Sequence, residues 1–499
     1  MARLIWTLSF LVAALFATAQ PANAFGGLTL CEEATFPTLV TYEDRALCGK
    51  LTVPEAPGSN DRMIELNIVW LPATTRIANP DPIVLLAGGP GQAVVSLGAS
   101  WASRFENLRK TRAMLLVDQR GTGLSNSLAC ALSLAPTLED IGLSGRIEEA
   151  IAAQTTALRD CLDELDADPK HYHSLAAADD LERVREALQL PTLNLFGVSY
   201  GTRMALVYAR RYPESVRSLL LDAVAPTDML IPLRVGSDAD LAFEQILSQC
   251  KQQPLCHEAY PDLPGLLRAA EADLANRQTL ILTDSLTGVR ETVNLDPRII
   301  NRLLRGAMYS RSLRQLIPLA LREAATGRWQ SVIAIGELLS PDHDDGEAMS
   351  LGMMASVLCS EDMTQVDDQL QTRYFDNALQ ELLVEVCPIW PHTPVPQDYF
   401  EPVVTDLPTL LMSGRHDPIT PPAYAESALE HLSQGRHLIA EGGAHGVSHL
   451  GCIPDLIETF LDTLAPKELD TECVDTILPQ PFFLDYAGPF EPIKEQSDD

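Results

Sequence analysis

Gly197-Val198-Ser199-Tyr200-Gly201 sets one serine between two glycines, directly after the apolar run LNLFGV (193–198) and directly before TRMALVYARRY. A serine on a sharp strand-to-helix turn has its hydroxyl pushed out above a sheet. Flanking glycines let the backbone make that turn without side-chain clashes. The following helix then aims its positive end at the same point. A hydroxyl is a poor nucleophile until a base removes its proton, and that base must be held in the right tautomer.

With such a turn, the partners follow in the order acid, then histidine. After the strand-like PTLLMSG (408–414) comes Arg415-His416-Asp417-Pro418, which places Asp417 in the loop beyond a strand's carboxyl end, where sites of open α/β sheets gather. After the next strand-like run, RHLIA (436–440), comes Glu441-Gly442-Gly443-Ala444-His445-Gly446. His445 lies 28 residues beyond Asp417, room for loop, helix, strand and loop. His449 is the rival base, read instead as beginning or capping the next helix. His416 precedes the required helix and strand. A tetrahedral intermediate also needs N–H donors aimed at its oxygen. One is the amide after the nucleophile, Tyr200. The other lies in the glycine run Ala87-Gly88-Gly89-Pro90-Gly91 after PIVLLA, with Gly89 preferred to Gly88. Asp118-Gln119-Arg120-Gly121-Thr122-Gly123-Leu124-Ser125 lacks the GK[ST] of a phosphate loop and is read as a turn bordering the site, with Arg120 in an internal ion pair.

Positioning these groups takes a sheet. MIELNIVWL from Met63, PIVLLA, AMLLVD (113–118), LNLFGV and SLLLDA (217–222) are short apolar runs closed by Gly, Pro or Asp, as strands buried on both faces of a largely parallel sheet should be. Helical patterns lie between them; Ser174 can cap one in which Leu175, Ala178, Leu181, Val184 and Leu188 recur at spacings of three and four. The alternation predicts an α/β fold. From 231 to 400 the pattern turns mostly helical, with Ile300, Leu303, Leu304 and Met308 on one face, before strand signals return. This predicts a sheet domain in two parts (25–230 and 401–499) interrupted by a helical cap (231–400), with a loose acidic tail at 485–499. The Asp342–Glu347 cluster fails the spacing of a calcium loop and reads as a solvated loop.

Arg3, the apolar run Leu4–Ala17 and Ala22-Asn23-Ala24 have the pattern of a signal peptide, cleaved near Ala24; the run falls short of the ~20 residues of a membrane span. Export to the periplasm or medium is expected. All ten cysteines lie after that point. With no CxxC spacing they suit disulfides better than a metal site, and joining neighbours gives 31–48, 130–161, 250–256, 359–387 and 452–473. No cofactor or metal is implied. A formal charge of −32, from 36 basic and 68 acidic residues, disfavours nucleic acid and anionic membrane surfaces as partners. Oligomeric state is not legible.

GGPG, DQRGTGLS, GVSYGT, HDPITPP and GGAHG, in this order, resemble the prolyl-aminopeptidase family of α/β-hydrolases, and most of all its larger, exported tripeptidyl-aminopeptidase-like branch. The resemblance covers the sheet domain at both ends of the chain. It implies an α/β-hydrolase fold with an inserted cap, and peptide substrates with a free amino terminus. By motif it implies Ser199 as nucleophile, His445 as base then acid, Asp417 as its orienter, and Tyr200 and Gly89 as oxyanion amides. Cys359-Ser360-Glu361 is similar to a Cys-x-acid sequence of the tripeptidyl branch. Because family members bind the substrate ammonium with cap carboxylates, Glu361 is implied there, with Asp362 as alternative. The small prolyl enzymes usually have histidine before GGPG; this chain has Ala87, which argues against strict proline specificity.

The resulting expectation is an exported serine aminopeptidase releasing N-terminal residues or short peptides through an acyl-enzyme. A carboxylesterase or other acyl hydrolase would use the same triad. A non-catalytic binding protein on this scaffold would be expected to lack a triad member, and none is missing.

Overall fold

The computed structural model describes residues 27–32, 46–130, 147–277, 279–283, 288–293, 296–339, 349–366 and 371–489. The expected signal peptide, the Asp342–Glu347 cluster and most of the acidic tail lie outside these residues. Among the described residues nine strands form one sheet in the order β1-β2-β3-β5-β4-β6-β7-β10-β11. They are β1 (Thr29–Leu30), β2 (Leu47–Pro54), β3 (Met63–Leu71), β4 (Ile83–Leu86), β5 (Met114–Val117), β6 (Leu193–Val198), β7 (Val216–Asp222), β10 (Thr409–Gly414) and β11 (Gly435–Ala440). The β1–β2, β2–β3 and β3–β5 pairs are antiparallel, and the rest are parallel. This is the α/β-hydrolase arrangement of a mostly parallel mixed sheet with helices.

Burial on both faces explains why the central strands read as continuous apolar runs. Val84, Leu115, Leu195, Leu219 and Leu411 enter one core, while Ile83, Leu116, Phe196, Leu220 and Met412 enter the other. Helix α1 (Ile147–Glu164), α2 (Ser174–Ala187) and α3 (Tyr200–Arg211) follow in chain order. Ser174 is the first residue of α2 rather than its cap: the cap is His173, whose Nδ1 accepts the Ala176 N–H at 3.4 Å.

Between β7 and β10 the chain forms mainly helices, among them α4 (Ile231–Gln252), α5 (Ile299–Tyr309), α6 (Leu351–Ser360) and α7 (Ala378–Val386). The apolar faces of α4 and α5 enter a core around Phe243, Ile300, Leu304, Met308 and Trp329, whereas α6 and α7 share a different cluster with Leu358, Leu382, Leu383 and Val386. A small antiparallel pair, β8 (Leu280–Thr283) with β9 (Arg290–Val293), adds strands that the helical reading did not include. Helix α8 (Ile453–Thr463) starts after Cys452, so exposed His449 neither begins nor caps it.

The structure joins the ten cysteines as 31–48, 130–161, 250–256, 359–387 and 452–473, the neighbour-to-neighbour scheme. Among the described residues no helix is long and apolar enough to cross a membrane.

Candidate active site

Ser199 sits between β6 and α3 with φ 58° and ψ −127°, a conformation L-residues rarely adopt. Sterics explain the glycines beside it. A Cβ on Gly197 would lie 2.3 Å from the Gly201 carbonyl oxygen, and one on Gly201 would lie 2.0 Å from that of Leu86. The strand, the turn and the helix can approach only without those side chains. Thr202 closes the turn, its N–H and hydroxyl both donating to the Ser199 carbonyl.

Asp417 and His445 meet. Nδ1 of His445 lies 2.9 and 3.0 Å from the two carboxylate oxygens of Asp417. Asp417 is itself fixed by the N–H groups of Ile419 and Thr420 at 2.9 Å and by the Thr420 hydroxyl at 2.8 Å. Burial opposes its negative charge, but the His445 imidazole and these donors outweigh burial and hold its pKa below the ordinary value. Burial also opposes an imidazolium at His445; Asp417 outweighs it, so the His445 pKa is raised above the ordinary 6.5, with Asp222 adding in the same direction. His416 is engaged elsewhere, through Nδ1 and Gln245 Oε1 at 2.8 Å, and burial drives its pKa down to about 3.

Two residues that the sequence reading passed over tie these pieces together. Asp222 ends β7, beside β6, and its carbonyl accepts the Ser199 N–H at 3.0 Å. Its carboxylate accepts the N–H groups of Val447 at 2.9 Å and Ser448 at 2.8 Å, the residues just beyond His445. A buried acid closing a strand next to the nucleophile strand was the available signal. Tyr309, the last residue of α5, accepts the His445 N–H on its carbonyl at 3.3 Å, and its ring stands edge-on to the imidazole, centroids 4.9 Å apart. No sequence spacing announces that contact, because it joins separate parts of the chain.

The glycine loop after β4 comes up to the serine. A Cβ on Gly88 would lie 3.1 Å from Ser199 Cβ and 3.6 Å from Oγ, so Gly88 faces the hydroxyl and Gly89 is one peptide further on, with φ +109°. Tyr200 is the first residue of α3, where helix N–H groups lack intrahelical acceptors. Its ring is buried, with the phenol oxygen 2.8 Å from the Ser174 hydroxyl and 3.1 Å from Gln119 Nε2. Asp118 braces the loop region by accepting from Asn67 Nδ2, Val95 N–H and Leu124 N–H. Arg120 pairs with buried Asp180 at 2.7 Å, the internal ion pair that the sequence suggested.

Glu361 and Asp362 are placed differently from the expectation of an ammonium site. Both are buried, 0% and 1% exposed, and both attend to Arg203 of α3, at 3.6 and 2.8 Å. Glu361 also accepts from Ser174 N–H and the Tyr399 hydroxyl, and Asp362 from Ile231 N–H. A buried guanidinium demands such partners. The pair neutralises an internal cation rather than presenting a free carboxylate to a ligand.

Comparison with known proteins agrees with this architecture. Residues 81–249 match the family model described as alpha/beta hydrolase fold, and residues 372–473 match the model described as TAP-like protein. Serine protease Hip1 of Mycobacterium tuberculosis (strain H37Rv) is 25% identical over 452 residues, 83% of this chain and 85% of its own. Tripeptidyl aminopeptidase of Streptomyces coelicolor is 25% identical over 475 residues, 87% of this chain and 84% of its own. Proline iminopeptidase of Neisseria gonorrhoeae is 33% identical over 149 residues, 29% of this chain and 34% of its own. This chain is a hydrolase of α/β-hydrolase fold, and its residues 372–473 are similar to TAP-like proteins.

Proposed function

We propose that the chain is an exported serine aminopeptidase, with Ser199, His445 and Asp417 as its triad. The observation that carries the proposal is the Asp417–His445 contact at 2.9 Å on a loop that Asp222 fastens to the Ser199 turn. In the reaction, Ser199 Oγ attacks the peptide carbonyl carbon while His445 Nε2 takes the hydroxyl proton. Asp417 holds the imidazole through Nδ1 and stabilises its positive charge. The amides of Tyr200 and Gly89 receive the carbonyl oxygen as it becomes negative. His445 then gives the proton to the departing nitrogen as the C–N bond breaks, leaving an acyl-enzyme. Water attacks the ester, His445 takes its proton, and Ser199 Oγ recovers it.

The names of the relatives, a serine protease, a tripeptidyl aminopeptidase and a proline iminopeptidase, favour peptide substrates with a free amino terminus over simple esters. Five disulfides and the signal-peptide pattern support export. A panel of aminoacyl and tripeptidyl anilides, each with a free or acetylated amine, together with short esters, tests the reading. Cleavage confined to free-amine anilides is expected. Equal rates on acetylated anilides, or activity on esters alone, would favour an acyl hydrolase of the same mechanism.

A further inference from the structure

Helix α5 (Ile299–Tyr309) has two unlike faces. Ile300, Leu304, Ala307 and Met308 enter the core of the insertion. At 3.6 residues per turn, Arg298, Arg302, Arg305 and Tyr309 fall together on the opposite side. Each end of this row has a known neighbour. Tyr309 lies against His445 and is 37% exposed. Arg298 pairs with Glu148 at 2.8 Å, Glu381 at 3.4 Å and Asp296 at 3.6 Å. The row therefore runs from the candidate base to an anchored far end.

Between those ends stand Arg302 and Arg305, both half-buried, and among the described residues neither has a carboxylate in ion-pair contact. In a chain with 68 acidic and 36 basic side chains, two adjacent arginines without such a contact stand out. Burial, and then the neighbouring Arg305, lower the Arg302 pKa against the pull of Asp376. Tyr309 feels two charges of opposite sign, Arg305 and Asp417, so the arginine row and the triad acid share one neighbourhood. A half-desolvated guanidinium pair gains most from a planar anion that it can hold through paired N–H donors.

We infer that Arg302 and Arg305 form a subsite for a carboxylate of the peptide substrate, which deepens the aminopeptidase reading and rests on it. Along the helix axis Arg305 lies ~6 Å and Arg302 ~10 Å from Tyr309, a span that an extended peptide covers in about two or three residues. The carboxylate is an acidic side chain or the free carboxyl terminus of a short peptide. The remaining acidic surface would repel such substrates, so the pair selects them locally.

The test uses binding to the Ser199→Ala protein, so it does not depend on turnover. Short free-amine peptides carry Glu or Gln at successive positions, each with a free or amidated carboxyl terminus. At low salt, one carboxylate position is expected to bind roughly tenfold more tightly than its amide counterpart, the scale of a charged hydrogen bond. The preference should shrink as salt rises. Whether it follows the Glu/Gln exchange or terminal amidation identifies the source. Adding Arg302→Gln and Arg305→Gln should bring the ratio close to one, and Arg→Lys at both positions should restore part of it. Equal affinity of carboxylate and amide peptides overturns the inference, as does a preference that survives the double Gln change in protein with unaltered circular dichroism. Failure of the aminopeptidase reading looks different: the wild-type protein would cleave no free-amine peptide, whatever the affinities.

Discussion

Asp222 holds Ser199 with one end and the His445 loop with the other. Its backbone carbonyl takes the Ser199 N–H at 3.0 Å, while its carboxylate takes the Val447 and Ser448 N–H groups. One residue thus ties the strained turn to the loop that carries the imidazole. Asp222→Asn keeps one acceptor and removes the charge. It is expected to lower kcat by about ten- to a hundredfold with a much smaller change in KM, because misplacement of a base costs rate more than binding. Steady-state kinetics on a tripeptidyl anilide check this, and a change in KM alone would place Asp222 outside the positioning role.

The pH profile follows from the same pair of acids. In the proposed mechanism His445 must be neutral to accept the Ser199 proton; burial lowers its pKa, but Asp417, aided by Asp222, outweighs burial and raises it above 6.5. Activity should therefore fall on the acid side with a midpoint above pH 6.5. Asp222→Asn removes one of the two raising charges, so that midpoint should move down. A kcat/KM profile between pH 5 and 9 reads both effects; an unchanged acid limb in the variant would contradict the coupling.

Asp417→Asn should lower kcat by ~10⁴, the order seen when a triad acid becomes an amide that no longer fixes the imidazole tautomer. Stability links to pH through the same carboxylate. Its folded pKa lies below the ordinary 3.8, so its contribution is present above that value and is lost as pH falls through the lower folded value. Acid melts of wild type against Asp417→Asn measure it, with the difference shrinking below about pH 4.

Arg203 is 0% exposed and faces two buried carboxylates. Arg203→Leu leaves both uncompensated and should destabilise the protein by about 3–5 kcal/mol. Glu361→Gln should lower the thermal midpoint, with kcat/KM for free-amine peptides affected no more than the loss of folded protein explains. A selective rise in KM, with Tm preserved, would return Glu361 to the ammonium role implied by its motif.

Much of this arrangement was legible because local chemistry dictates it. The turn at Ser199 needs Gly197 and Gly201, and both are written in the motif. Central strands such as Leu193–Val198 read as apolar runs because both faces are buried. The disulfides follow neighbour pairing because each closes a loop of modest length, with separations from 6 to 31 residues. What escaped was set by distant partners. β2 (Leu47–Pro54) is only half-buried and antiparallel near the sheet edge, so it lacks the apolar signature. Glu361 and Asp362 look like free acids until Arg203, some 160 residues earlier, is seen beside them. Tyr309 and His445 meet as rings from distant parts of the chain, a contact that no local pattern announces.

The central claim is that Ser199 is the nucleophile, and covalent labelling by a fluorophosphonate followed by peptide mapping tests it most directly. The account predicts one labelled residue, Ser199, with labelling abolished by Ser199→Ala and slowed by at least a hundredfold in Asp417→Asn. Label on another residue, or none on folded wild-type protein that still hydrolyses peptides, would contradict it.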